Sequence, residues 1–256
     1  MLTKIEYGIH SDQPDLVIVH GLYGSGRNWS AVGKRLAQTR RVICVDLRNH
    51  GNSPWFGTHS YEDMAGDLVE IIETQSSPVD IMGHSMGGKA AMVLALLHPN
   101  LINRLIVADI APISYTHDQS QHIQAMRSVD LSRVSKRSDA MAQLAETVED
   151  ATLQSFFTQS LDLKEKRWRL NLDTLEAEMP KILSFPNLQS RFNGSTLFLS
   201  GSTSDYVRPD HRPVIRDLFP KARFAKITGA GHWLHAEKPR EFIASVQAWL
   251  DSSFKL

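Results

Sequence analysis

Short apolar runs alternate with longer amphipathic segments along most of this chain, and that alternation restricts the folds open to it. Six runs are hydrophobic nearly throughout and rich in β-branched or leucine side chains: residues 16–20, 41–46, 79–82, 105–109, 196–200 and 223–227. Such runs are typical of strands buried on both faces of a parallel sheet. The intervening segments carry apolar residues at helical spacing, for example Met64, Leu68 and Ile71. We therefore predict an α/β fold with a mainly parallel sheet flanked by helices, and an edge strand at 3–9.

The alternation breaks between residues 113 and 190, where helical patterns dominate and no convincing strand pair is found. One apolar stripe in this segment contains Met141 and Leu144. Because the segment leaves from the carboxyl end of a strand, it should lie over the crevice where parallel α/β sheets bind ligands. We therefore predict a core domain formed by residues 1–112 and 191–256, and a helical cap formed by residues 113–190.

Residues 83–87, GHSMG, match the G-x-S-x-G pattern of a nucleophile elbow. In this motif a serine occupies a sharp turn between a strand and a helix, and the glycines avoid clashes with neighbouring backbone. The pentapeptide follows the apolar run 79–82 and precedes a helical run over 88–97, which are the flanks that the motif requires. We predict that Ser85 is a catalytic nucleophile rather than part of an ordinary tight turn.

A second loop would supply part of an oxyanion hole. Residues 20–23, HGLY, directly follow the first predicted strand of the parallel sheet. In acyl transfer, a backbone N–H from this loop pairs with the N–H of the residue after the nucleophile. We assign the two donors to Leu22 and Met86. The alternative is that His20 and Gly21 merely end a strand.

The general base is predicted from a glycine-rich loop near the end of the chain. Residues 229–233, GAGHW, follow the last predicted strand and precede a closing helix. A loop there lets the imidazole of His232 reach across the strand ends to the serine. His232 and His235 also form an H-x-x-H pair, but no acidic or cysteine ligand pattern accompanies it. We therefore predict no metal site.

The residues alone leave two candidates for the acid of a catalytic triad. The order serine, acid, histidine is expected. The loop after the run 196–200 often provides the acid three residues after its glycine, but Ser204 occupies that position and Asp205 comes one residue later. Asp109 ends the run 105–109, which is another point from which a carboxylate reaches the histidine. Either carboxylate would orient the imidazole and stabilise its protonated form.

The loop 46–53, DLRNHGNS, is interpreted as structural rather than catalytic. Asp46 is expected to cap the turn, and Arg48 and His50 to satisfy carbonyl groups of the loop.

Together these motifs resemble those of α/β-hydrolases and, more narrowly, of the small bacterial YbfF-type esterases. The resemblance runs from Leu16 to the C-terminus, and the Arg-Asn-His-Gly stretch is its more specific mark. It implies the α/β-hydrolase fold, with the cap inserted after the sixth strand of that fold, and hydrolysis of acyl esters. It also implies Asp109 as the acid, with Ser204 as an auxiliary hydrogen-bond partner. This chain differs from such relatives in also having Asp205.

The charge balance bears on partners and location. The sequence has 28 basic and 28 acidic side chains, so it offers no general attraction to nucleic acid or to an anionic membrane. Its longest apolar stretch, 90–97, is far too short to span a bilayer, and its first residues lack a secretory core. We predict a cytoplasmic protein without stable membrane insertion. The sequence indicates no oligomeric state.

The predicted function is hydrolysis of small-to-medium acyl esters by a Ser-His-Asp triad through an acyl-enzyme, without cofactor or metal. Acyl thioesters are a second candidate substrate class. Five apolar side chains of the cap are candidates for an acyl wall: Met126, Phe156, Phe157, Trp168 and Leu170. Two alternatives remain, a lyase or perhydrolase on the same scaffold, and a non-catalytic homologue that binds a ligand.

Overall fold

The computed structural model describes residues 1–75, 78–116 and 119–252. In chain order its strands are β1 (Lys4–Tyr7), β2 (Leu16–Val19), β3 (Val42–Val45), β4 (Val79–His84), β5 (Ile102–Ala108), β6 (Leu161–Asp162), β7 (Arg167–Trp168), β8 (Ser195–Gly201) and β9 (Ala222–Ile227). Seven of them form one sheet in the order β1-β3-β2-β4-β5-β8-β9. Only β1 pairs antiparallel in that sheet. The predicted mainly parallel sheet with an edge strand is therefore confirmed.

Helices fill the intervals between the strands. They are α1 (Ser30–Leu36), α2 (Tyr61–Ile72), α3 (Met86–Leu97), α4 (Ser120–Ser128), α5 (Arg137–Leu144), α6 (Ala151–Gln159), α7 (Leu172–Ala177), α8 (Met179–Leu183), α9 (Arg212–Leu218), α10 (Leu234–Glu237) and α11 (Pro239–Asp251). Proline begins the closing helix α11, where its missing N–H costs no hydrogen bond. None of the helices in these described ranges combines the length and apolar character needed to cross a membrane.

The sheet separates two apolar layers, and the two-residue period of the strands decides which side chain enters which layer. Val17 and Val19 of β2 pack with α2 and α3 on one face. Leu16 and Ile18 of the same strand pack with α1 and α11 on the other face. Because both faces are covered, all four residues of β2 are fully buried. This explains why β2 appears in the sequence as a continuous apolar run.

Helices α4–α8 come between β5 and β8, within the segment that we predicted to be a cap. The expectation of no strand pair in this segment is wrong at one point. Strands β6 and β7 form a small antiparallel pair that joins Leu161 to Trp168. Each strand has only two residues, too few to leave an alternating pattern in the sequence. The division of the chain at residues 112 and 190 stays a prediction.

Candidate active site

Ser85 lies on the sharp turn between β4 and α3, with a backbone φ of 53°. This left-handed region is unfavourable for a residue with a side chain. The two glycines of the motif are required by close backbone contacts. A Cβ at Gly83 would lie 2.1 Å from the carbonyl oxygen of Gly87, and one at Gly87 would lie 2.3 Å from that of His20. The turn therefore holds the serine side chain clear of the sheet, at the start of a helix.

The imidazole of His232 contacts the carboxylate of Asp109, with 2.8 Å between Nδ1 and Oδ2. Asp109 is fully buried directly after β5. Its Oδ1 accepts a hydrogen bond from the Gly201 N–H at 3.0 Å, and its Oδ2 accepts one from Ser204 Oγ at 2.5 Å. With these bonds the buried carboxylate is satisfied at both oxygens. It is oriented so that it accepts from Nδ1 and leaves Nε2 of His232 free to act as a base.

Asp205, the other candidate acid, lies elsewhere. Its side chain is exposed and borders a neighbouring groove with Arg208 and His211. No hydrogen bond or ion pair joins it to His232 in the part of the chain that the structure describes. The structure thus brings Asp109, Ser204 and His232 together and leaves Asp205 outside.

The backbone around His232 is held by the residue that precedes the serine. His84 Nε2 donates to the carbonyl oxygen of His232 at 2.9 Å, and the two rings lie 4.8 Å apart. Burial, reinforced by the nearby His235 and His232, keeps the pKa of His84 well below its ordinary value. The neutral ring with its proton on Nε2 is therefore the form that makes this bond. On its other side, the His232 ring stacks against Tyr206 at 3.9 Å.

The two predicted oxyanion donors have no other use. Among the described residues, the N–H groups of Leu22 and Met86 donate to no protein acceptor. His20 Nδ1 donates to the Gly21 carbonyl oxygen at 2.8 Å. Because the peptide bond is trans, this fixes the Leu22 N–H in the opposite direction. The loop lies against the serine, since a Cβ at Gly21 would be 3.3 Å from Ser85 Cβ.

Two buried histidines hold the loop that contains Leu22, and both must be neutral to do so. His20 Nε2 accepts from the Leu47 N–H at 2.9 Å, and His50 Nε2 accepts from the Tyr23 N–H at 3.2 Å. Burial lowers the pKa of His20 to about 4. Burial, with the neighbouring His20, lowers the pKa of His50 to about 3. A proton on either Nε2 would face a backbone N–H instead of accepting from it.

The loop 46–53 has the structural character predicted for it, with one correction. Asp46 Oδ2 accepts from the Asn52 N–H at 2.8 Å and so caps the turn, and His50 Nδ1 donates to the Arg48 carbonyl oxygen at 2.9 Å. The Arg48 side chain, expected to satisfy loop carbonyls, forms an ion pair with Asp67 at 2.6 Å instead. A guanidinium gains more from a carboxylate than from a neutral carbonyl. The contact of His50 with Tyr23 was missed in the sequence.

Ser85, His232 and Leu22 line one cavity of about 260 Å³. Much of its wall is apolar and comes partly from the segment after β5: Ile110, Leu153, Phe156, Phe157, Ile182 and Leu183. Of the five predicted wall residues, Phe156 and Phe157 line the cavity. Met126, Trp168 and Leu170 do not, because they pack within the buried core. The Trp168 indole, for example, donates to the Met126 carbonyl oxygen at 2.9 Å.

Lys89 also borders the cavity, and the sequence analysis assigned it no role. It lies one turn beyond Ser85 on α3 and is 1% exposed. Its Nζ donates to the carbonyl oxygens of Leu183 at 2.9 Å and Ser184 at 2.6 Å, at the end of α8. Burial lowers the pKa of Lys89 to about 7. The lysine thereby ties the last turn of α8 to the helix that follows the serine.

Comparison with known proteins identifies the family. The family model described as the alpha/beta hydrolase fold matches residues 14–239. The chain belongs to this family. A relative from Mus musculus, an sn-1-specific diacylglycerol lipase named ABHD11, is 40% identical over 93% of this chain and 81% of its own length. The esterase YbfF of Escherichia coli K12 is 34% identical over 94% of each chain.

A solved structure titled as a marine microorganism esterase matches the fold closely. It superposes with a TM-score of 0.90 at 38% identity, covering 96% of this chain and 98% of that one. The predicted resemblance to YbfF-type esterases is confirmed, and so is the prediction of a carboxylic ester hydrolase.

Proposed function

We propose that this enzyme hydrolyses small-to-medium acyl esters with Ser85 as nucleophile, His232 as general base and Asp109 as the acid that orients it. The observation that carries the proposal is the 2.8 Å contact between His232 Nδ1 and Asp109 Oδ2, in a cavity that Ser85 and His232 both line. The carboxylate fixes the tautomer of the imidazole, so that Nε2 is the nitrogen available to the serine.

In the first half of the proposed reaction, His232 Nε2 takes the proton of Ser85 Oγ while Oγ bonds to the acyl carbonyl carbon. The carbonyl π electrons move to oxygen, and the N–H groups of Leu22 and Met86 stabilise that oxyanion. When the tetrahedral intermediate collapses, the bond to the leaving oxygen or sulfur breaks. The alcohol or thiol departs with the proton from His232, and the acyl group remains on Ser85.

The second half repeats these steps with water. His232 removes a proton from the water as its oxygen attacks the acyl carbon. The oxyanion forms again at the same two N–H groups, and Ser85 Oγ leaves with the proton from His232. Throughout, the buried Asp109 stabilises the transient imidazolium, and Ser204 keeps the carboxylate in place. Each proton transfer and each oxyanion contact in these steps uses a group of this chain.

The cavity supports a limit on substrate size. Its volume of about 260 Å³ lies just below the range of about 300–1,000 Å³ that is usual for pockets of drug-sized ligands. Its apolar wall favours an acyl chain over a charged group. We also propose that residues 113–190 act as a cap over the strand ends. The names of the relatives, diacylglycerol lipase and esterase, support acyl esters as the substrate class. Lack of nucleic acid binding and cytoplasmic location stay predictions.

The test uses p-nitrophenyl esters of graded acyl length and matched acyl thioesters. We expect measurable rates on short esters, and Ser85→Ala should abolish them while far-UV circular dichroism is unchanged. Ser245→Ala, which removes an exposed hydroxyl on α11, is the control and should keep full activity. Release of one acid per ester consumed would separate hydrolysis from lyase or perhydrolase chemistry. A fully active Ser85→Ala enzyme would overturn the proposal.

A further inference from the structure

Tyr23, the residue after the proposed oxyanion donor Leu22, is held at both of its backbone polar groups. Its N–H donates to His50 Nε2 at 3.2 Å, from the loop after β3. Its carbonyl oxygen accepts from Ser160 Oγ at 2.9 Å, from the segment between β5 and β8. The φ of Tyr23 is 64°, a conformation that costs free energy for any residue with a side chain. The two hydrogen bonds offset that cost.

The two residues that hold Tyr23 are connected to each other through the same segment. His50 forms an isolated antiparallel bridge with Leu170. The next residue back, Arg169, donates its N–H to the Ser160 carbonyl oxygen at 2.8 Å. Tyr23, the loop after β3 and the segment between β5 and β8 are therefore each in contact with the other two. Because Tyr23, His50 and Ser160 are all buried, water does not replace these bonds while the segment is in place.

We propose that Ser160 and His50 are positioning residues for the oxyanion hole, and that Leu22 is aligned for catalysis only while the segment 113–190 is seated on the sheet. This inference rests on the proposed ester hydrolysis. If the segment moves away, the Tyr23 carbonyl loses its donor and Tyr23 can leave the left-handed region. The Leu22–Tyr23 peptide then rotates and displaces the Leu22 backbone, which moves the Leu22 N–H out of line with the developing oxyanion.

Ser160→Ala tests the inference with the smallest change, since it removes only the hydroxyl group. We expect kcat for short esters to fall about tenfold, the worth of one buried hydrogen bond, while KM changes little. The affinity for a trifluoromethyl ketone, which forms an oxyanion on Ser85, should fall by the same factor. A merely structural role would lower the melting temperature without this shared loss.

Matched variants separate positioning from general damage. Thr158→Val also removes a buried hydroxyl near the end of α6, but that hydroxyl bonds to the Ser155 carbonyl oxygen within its own helix. It should leave kcat and the ketone affinity unchanged. His50→Gln keeps an acceptor for the Tyr23 N–H and should retain more activity than His50→Leu, which has none. Combining His50→Leu with Ser160→Ala should cost less than the product of the two losses.

Several results would overturn the inference. Unchanged kcat and ketone affinity in folded Ser160→Ala would do so, as would equal losses in Thr158→Val. A change in KM alone would assign Ser160 to substrate binding instead. These outcomes are distinct from failure of the proposed function, which would appear as a wild-type enzyme without ester hydrolysis.

Discussion

His232 Nδ1 lies 2.8 Å from Asp109 Oδ2 although 123 positions separate the two residues in the chain. Asp109 follows β5 and His232 follows β9, and these two strands flank β8 in the sheet. Ser204 follows β8, and its hydroxyl reaches the same carboxylate oxygen. Three adjacent strand ends thus bring a carboxylate, its hydroxyl partner and an imidazole to one point.

This arrangement predicts that two isosteric substitutions, Asp109→Asn and Asp205→Asn, lower kcat to very different extents. Asp109→Asn should lower kcat by roughly 1,000-fold or more, because an amide cannot stabilise the imidazolium and favours the wrong tautomer. Asp205→Asn should stay within about twofold, since an exposed side chain outside the site contributes little. Steady-state kinetics on a p-nitrophenyl ester provide the comparison. A large loss in Asp205→Asn with a near-normal kcat in Asp109→Asn would assign the acid to Asp205 instead.

The buried histidines predict a loss of stability in mild acid. Burial lowers the pKa of His20 to about 4 and that of His235 to about 3, from 6.5 in the unfolded chain. Between pH 6.5 and these values the unfolded chain binds more protons than the folded one. The free energy of unfolding should therefore fall as pH falls through this window.

Urea unfolding at pH 7.5, 6 and 5 measures this loss. The His235 ring stacks on Trp29, with 4.2 Å between the ring centroids. His235→Phe keeps an aromatic ring at this position, but the new side chain cannot bind a proton. This variant should lose less stability over this range than the wild type, whereas His98→Asn at an exposed position should behave as the wild type. Identical pH slopes in His235→Phe and the wild type would contradict the prediction.

Lys89 predicts a dependence of the same sign at higher pH. Burial lowers its pKa from 10.5 to about 7, so between these values only the unfolded chain holds the proton. This group therefore makes the wild type more stable as pH rises from 7 to 10. Relative to Lys89→Met, the wild type should gain stability between pH 6.5 and 9 in urea unfolding. Lys34→Met, on an exposed position of α1, should show no such change with pH.

The apolar wall predicts how acyl length is selected. Phe156 borders the cavity and packs against Trp233 with 4.4 Å between ring centroids. Phe156→Ala should enlarge the cavity and raise the rate on octanoyl relative to acetyl esters by about tenfold, roughly the worth of two buried methylene groups. Met126→Leu changes a buried core residue at nearly constant volume and should leave the length profile unaltered. An unchanged profile in Phe156→Ala would remove this residue from the acyl site.

The parts of the fold that depend on burial could be predicted from the sequence. Both faces of β2 and β3 are covered, so each strand is a continuous apolar run that a short window detects. The nucleophile turn has a local signature because Gly83 and Gly87 face backbone atoms at distances that exclude a Cβ. Strands β6 and β7 escaped prediction since two residues carry no period.

The contacts that hold the site together could not be predicted from the sequence, for a different reason. Ser160 and Tyr23 are 137 positions apart, and a side chain that donates to a distant carbonyl leaves no periodic trace. Lys89 lies among apolar residues of α3, where one charged residue suggests an exposed helix face, yet it is buried against the end of α8. The choice between Asp109 and Asp205 turned on a single residue of spacing, which only the path of the loop decides.

Strands β5 and β8 are direct parallel neighbours in the sheet, with Arg104 beside Ser195 and Ala108 beside Leu199, so the segment between them connects two strands that pair with each other. An exchange of residues 113–190, by recombination or by design, would leave both the strand pairing and Asp109 intact. Such a hybrid would nevertheless need one hydrogen bond that the strands do not provide. Unless the incoming piece presents a hydroxyl or N–H group to the Tyr23 carbonyl, the hybrid would fold correctly and turn over slowly.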